Sequence, residues 1–252
     1  MKLNRTHLKL LIALFILLDA VARVFLKANS ITYQLFKGLG NCAVGLLCFL
    51  LADGYYRSTN KKKYAIRMLI LAVVCYIPFN IYENPWIMIG YGNAFRLYFP
   101  FPFNLFISIL MLMGLEKIDK ENYSDIAKKL LRLICFMITI VLSIFCAYPI
   151  YTQMMVLNYS YNKEDNKLQI CSHLLIMVLI LVSNFQLYNS ANSNIWMSLF
   201  YCSNTLGYLL CIPLKNMYSG CAGNKTINRL FYLFYPIVLI VSIILSAFYL
   251  TS

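Results

Sequence analysis

Eight stretches of this chain stay apolar for about 20 residues each, and that pattern limits the fold more than any other feature. They run roughly over 8–27, 36–56, 64–82, 97–115, 130–149, 168–188, 195–214 and 230–250. At about 1.5 Å of rise per residue, each is long enough to cross a hydrocarbon core of about 30 Å as a helix. Inside lipid the backbone must satisfy its own hydrogen bonds, which a helix does. The longest polar pieces, roughly 116–129, 158–167 and 215–229, are too short for a separate soluble domain. The expected fold is all-α, a polytopic transmembrane helical bundle of eight or nine spans, with residues 1–252 forming a single integral membrane domain.

Composition agrees with that reading. The chain is 61% hydrophobic and 12% charged, against about 45–50% and about 25% in soluble domains. These values exclude an ordinary soluble enzyme and a disordered chain. A net charge of +13 on a soluble protein would suggest nucleic acid. On a chain this apolar it marks cytoplasmic loops and headgroup contacts, so the expected partner is the lipid bilayer and not a nucleic acid.

The basic residues also predict orientation. Lys2, Arg5 and Lys9 place the N-terminus in the cytoplasm, and the first segment reads as a retained helix of the cytoplasmic (inner) membrane because no small-residue cleavage site follows it. Arg57 with Lys61, Lys62 and Lys63, and then Lys117, Lys120, Lys128 and Lys129, mark two further cytoplasmic loops. Lys215, Lys225 and Arg229 join them only if a ninth, short or re-entrant crossing lies between about 149 and 161. The stretch 84–103 is broken by Pro85, Pro100, Pro102, Gly90 and Gly92, and its aromatic residues suit an interfacial or re-entrant segment.

Ionisable groups inside a membrane normally face a partner or a polar cavity. Asp19 and Arg23 lie in the first run, four residues apart, on one helix face, so they are expected to pair. Asp53 closes the second run, and Arg67 opens the third, a turn after Lys63. Lys61, Lys62, Lys63 and Arg67 read either as interface snorkels or as a site for the phosphates of a nucleotide-type donor. Asn104, Asn184, Gln186, Asn204 and Thr205 are further polar residues in or near spans, by default interhelical hydrogen-bonders. The nine cysteines contain no C-x-x-C pair, and the two histidines, His7 and His173, have no ligand-spaced partner, so no metal site is expected. No nucleophile elbow, phosphate loop or zinc-protease motif is present.

Three stretches carry a family resemblance. The first is Leu8-Lys9-Leu10-Leu11-Ile12-Ala13 leading to Leu17-Leu18-Asp19. The second runs from Gly38-Leu39-Gly40-Asn41 through Ala52-Asp53-Gly54-Tyr55 and Asn60-Lys61-Lys62-Lys63 to Ile77-Pro78-Phe79. The third is Tyr218-Ser219-Gly220-Cys221-Ala222-Gly223, followed by Phe231-Tyr232-Leu233-Phe234-Tyr235-Pro236. Together they resemble the TraX family of polytopic bacterial membrane proteins; residues 116–200 or so resemble it only in hydropathy. The type member acetylates the N-terminus of conjugative F-pilin, and the family looks distantly related to membrane acyltransferases. The resemblance therefore implies acyl-CoA (acetyl-CoA) as donor substrate, with no bound cofactor, and a peptide, pilin or hydroxyl acceptor. It also implies Asp19 as the catalytic residue, with Arg23, Asn41, Asp53, Asn104, Tyr218 and Tyr235 lining a polar cavity.

The sequence departs from the pattern at the reactive centre. The histidine expected after Asp19 is Ala20, and the histidine expected after Tyr235-Pro236 is Val238. An expected arginine is Asn41, an expected asparagine is Ser219, and the acid before Gly54 is Asp53 in place of glutamate. An isolated aspartate titrates near about 3.9, too low for an efficient base at neutral pH. The scaffold thus resembles an acetyltransferase with a depleted centre. A non-catalytic accessory or immunity-type membrane protein is the alternative, and a small transporter the third reading.

Overall fold

The structure is a computed structural model that describes residues 2–84, 98–191, 194–221 and 223–251. The helices are α1 (Arg5–Phe25), α2 (Ile31–Arg57), α3 (Lys61–Glu83), α4 (Phe101–Lys120), α5 (Asp125–Ser143), α6 (Tyr151–Tyr161), α7 (Asn166–Ala191), α8 (Ile195–Cys202), α9 (Cys211–Asn216) and α10 (Lys225–Thr251). A 3-10 run, Ser203–Leu210, joins α8 to α9. Among the described residues the only β pairing is two isolated bridges, Leu3 with Tyr218 and Phe99 with Cys146. The all-α expectation therefore holds.

Local chemistry sets the helix starts. Asn4, Asn60, Ser124 and Asn194 each precede a helix and accept a backbone N–H from its first turn. Asp165 does the same for α7, accepting from Lys167 and Leu168. Pro78 lies inside α3, and the nearby Asn80 amide donates 2.9 Å to the Tyr76 carbonyl.

The helices are inverted relative to those of a soluble protein. Asn41, Asn80, Asn104, Gln153, His173 and Thr205 are buried, while Ile66, Ile70, Val73, Ile134, Ile138, Leu175, Leu233 and Ile240 are exposed. Apolar faces turned outward with amides turned inward fit a lipid solvent.

Among the described residues six helical segments are long and apolar enough to span: Ile31–Arg57, Lys61–Glu83, Phe101–Lys120, Asn166–Ser190, Ile195–Asn216 and Leu230–Phe248. This falls short of the eight or nine expected. α1 carries Lys9, Asp19 and Arg23, and α5 carries Asp125, Lys128, Lys129 and Arg132, which lower their apolar character. α6, at the place of the expected short or re-entrant ninth crossing, has 11 residues, about 16 Å of helix and less than the thickness of the core. The expected span over 195–214 is not one helix but α8, the 3-10 run and α9. Most of the segment expected to be interfacial, 85–97, lies outside the described residues.

The chain divides into two compact units, residues 1–47 with 165–252, and residues 48–164. In the first, α1 packs on α10 and α7 on α8 and the 3-10 run. The N-terminal part of α2 meets the 3-10 run backbone to backbone, because a Cβ on Gly207 would collide with the Gly38 carbonyl. Small residues permit such crossings. In the second unit α4 is central, packing on α3, α5 and α6.

Candidate functional site

In the first unit α1 delivers Asp19 to α2. Asp19 Oδ1 lies 2.9 Å from Lys37 Nζ, with both side chains 21% exposed. Oδ1 is buried and has no aligned donor, so the contact is Coulombic. Gly40 makes the seat: a Cβ there would come within 2.7 Å of Asp19 Cγ. The pairing expected with Arg23 is therefore corrected. A helix neighbour at i+4 shares the face, but the seat at Gly40 turns Asp19 toward α2, where Lys37 waits one turn earlier.

One residue past Gly40, the Asn41 amide donates 3.0 Å to both the carbonyl and the side-chain oxygen of Asn204 in the 3-10 run. Asn204 donates in turn to Gln34 (2.9 Å), and Asn184 of α7 donates to Thr205 (3.2 Å). Asn41 thus holds the helix crossing beside the Asp19 seat. A 3-10 run of eight residues is longer than the usual three or four, and these side-chain bonds brace it.

α1 and α10 run parallel. Arg5 N donates 2.9 Å to the Cys221 carbonyl, and Lys9 Nζ donates 3.0 Å to the Asn228 carbonyl. From this register Ala20 and Val238 stand within about a turn of the same level. They are 6% and 8% exposed, so apolar packing fills both positions where the resembled family carries histidine. Tyr218 sits in the bridge with Leu3, and Tyr235 is half-buried on α10. His173 is buried with Nε2 2.9 Å from the Tyr208 carbonyl, and His7 is exposed at the start of α1.

The second unit holds the remaining expected site residues. Lys61 bonds Glu116 and lies over the Tyr55 ring, 4.7 Å from its centroid. Tyr55 also donates to Glu116 (2.6 Å), which pairs with Lys120 at 2.8 Å. Lys61 is therefore neutralised within the protein, while Lys62, Lys63 and Arg67 are exposed. Asp53 pairs with Arg57 at 2.8 Å. The Asn104 amide donates to the carbonyls of Ala147 (3.0 Å) and Tyr148 (2.8 Å) and to Thr152 Oγ1 (3.0 Å), and its oxygen accepts from Gln153. These bonds hold a strained turn, with Tyr148 and Ile150 left-handed at φ 55° and 58°, a conformation costly for a β-branched residue.

Among the described residues no His, Cys, Asp and Glu group could hold a metal. Sequence reasoning missed Lys37, Gln34 and Glu116. Lys37 was legible as a charge beside the Gly38-Leu39-Gly40 motif. Gln34 and Glu116 carry no local signal, since their partners are 170 and 55 residues away.

Long apolar helices with inward amides and outward aliphatic faces define a multi-pass membrane protein. Residues 4–246 match the family described as TraX protein, and the chain belongs to the TraX family. It is similar to the probable fimbrial assembly protein FimC, serogroup H1, of Dichelobacter nodosus. The two are 26% identical over 233 residues, which cover 92% of this chain and 91% of that protein. No solved structure matches.

Proposed function

We propose that this protein is a pilin-associated inner-membrane protein that transfers an acyl group from acyl-CoA to an amine or hydroxyl of a pilin-type acceptor. The observation that carries the reading is the Asp19–Lys37 dyad in the seat left by Gly40. The partly exposed Asp19 side chain can hold the acceptor N–H or O–H, and the Lys37 ammonium can stabilise negative charge on the thioester oxygen as the acceptor attacks. The carbon–sulfur bond then breaks, the new amide or ester forms, and the acceptor proton leaves with the thiol. The likeness to a fimbrial assembly protein supports a pilin acceptor. In this reading α1 and α5 also cross, α6 supplies a short ninth crossing, as parallel α1 and α10 require, and the N-terminus is cytoplasmic.

Buried Ala20 and Val238 favour a second reading, a non-catalytic relative that binds the pilin precursor without modifying it. The two separate in one experiment. Purified protein is given acetyl-CoA and a peptide with the N-terminus of a co-encoded pilin, and acetylated peptide is measured for wild type and Asp19→Asn. The acyltransferase reading expects turnover that falls at least about tenfold in Asp19→Asn. Equal, background rates sink it, and retained binding of the peptide then supports the second reading.

A further inference from the structure

We infer that the paired N-termini of α1 and α10 form a binding site for a phosphate ester, centred on Lys9 and Arg5. Nothing in the acyl-transfer reading requires it, since it rests on different residues.

Residues 3–6 run alongside 217–224. Leu3 N donates 2.8 Å to the Met217 carbonyl, Ser219 N 2.8 Å to the Leu3 carbonyl, and Asn224 N 2.8 Å to Thr6 Oγ1. Gly220 and Gly223 are left-handed, at φ 76° and 69°, and a Cβ on Gly223 would strike Thr6. The ribbon therefore fixes the first turn of α1 against the loop that opens α10.

Lys9 lies just inside. It is 7% exposed. Its ammonium donates to the Asn228 carbonyl and stands 5.1 Å and 5.3 Å from the ring centroids of Phe231 and Tyr232. Arg5 is one turn earlier on the same helix, half-buried, with Nε buried and without an acceptor. Neither cation meets a carboxylate.

None is available. The first unit contains ten Lys and Arg residues and two carboxylates in its sequence, Asp19 and Asp165. Asp19 is held by Lys37, and Asp165 caps α7. A buried ammonium with a guanidinium one turn away is unfavourable until an anion joins it. The fork of Arg5 and the point charge of Lys9 match the several oxygens of a phosphate better than the two of a carboxylate. Two sources carry that chemistry: an anionic lipid headgroup and a soluble phosphate ester such as the nucleotide part of CoA.

The test uses full-length protein in uncharged detergent at fixed ionic strength. Pyrophosphate, CoA, 3'-dephospho-CoA and acetate are titrated against thermal midpoint and affinity, and nanodiscs of phosphatidylcholine are compared with and without phosphatidylglycerol. At least one phosphate probe raises the wild-type midpoint, and Lys9→Met weakens its binding tenfold or more while Lys9→Arg restores most of it. Binding of CoA or pyrophosphate assigns a soluble ester, and protection by phosphatidylglycerol alone assigns a headgroup. Should Lys9→Met fail to fold, Arg5→Gln, at a half-buried position, carries the same expectation. The proposal is overturned if no phosphate probe acts on wild type, if acetate acts as well as phosphate, or if a folded Lys9→Met or Arg5→Gln binds as tightly as wild type.

Discussion

The two units handle positive charge in opposite ways. Residues 48–164 carry twelve Lys and Arg and seven acids, and the first unit carries ten and two. In the second unit the acids are used as partners: Glu116 gathers Tyr55, Lys61 and Lys120, Asp119 takes Arg132, and Asp53 takes Arg57. In the first unit Asp19 pairs with Lys37, and among the described residues Arg5 and Lys9 meet no acid. A unit whose cations are neutralised internally is built for stability. A unit that buries a cation without its counter-charge is built to receive an anion.

The same contrast extends to packing, and three substitution pairs probe it. The largest effect is expected at the backbone crossing of the first unit. Gly207→Ala forces a methyl into the Gly38 carbonyl and is expected to cost about 3 kcal/mol or more. In the second unit Gly114→Ala meets only Cys135 Sγ at 3.0 Å, and about 1 kcal/mol or less is expected. Thermal unfolding in detergent compares them; equal midpoints would mean that the crossing is not the tight contact described.

Buried amides reverse the order of the units. Asn104→Leu strands Gln153 and releases the Tyr148–Ile150 turn, at about 3 kcal/mol, whereas Asn41→Leu removes two donations to Asn204, at about 1–2 kcal/mol. A larger loss for Asn41→Leu would place the stabilising amide network in the first unit instead.

The smallest difference is between ion pairs. Lys37→Met leaves Asp19 without a cation, while Lys61→Met leaves Glu116 with Lys120 and Tyr55. Both sites are partly exposed, so solvent screening limits the losses to about 1 kcal/mol for Lys37→Met and a few tenths for Lys61→Met. Matching losses in urea or thermal titrations would remove the asymmetry on which the comparison stands.

Much of this was legible in the linear chain. Apolar run length identified α2, α3, α4, α7 and α10 because a membrane helix satisfies its backbone internally and its outer face needs only to be apolar. Helix-start asparagines were readable for the same local reason. The break at Ser203–Leu210 was not, because Ser203-Asn204-Thr205 lies inside a run that is apolar on average, and the close approach of Gly207 to Gly38 joins residues 169 apart in sequence. Of the expected site residues, Asp19 was found as a charge in an apolar run, but its partner was mistaken. Spacing along one helix shows which residues share a face, not which neighbouring helix that face meets.

The sequence alone therefore determined the solvent, the helical class and the family, since these depend on hydropathy and local motif. Tertiary structure decided which charges are neutralised. Lys37 reaches Asp19 because Gly40 opens a seat, Glu116 collects Lys61 across 55 residues, and Lys9 is buried against α10 with no acid in range. Coulomb energy depends on distance and burial, and neither can be read from order along a chain.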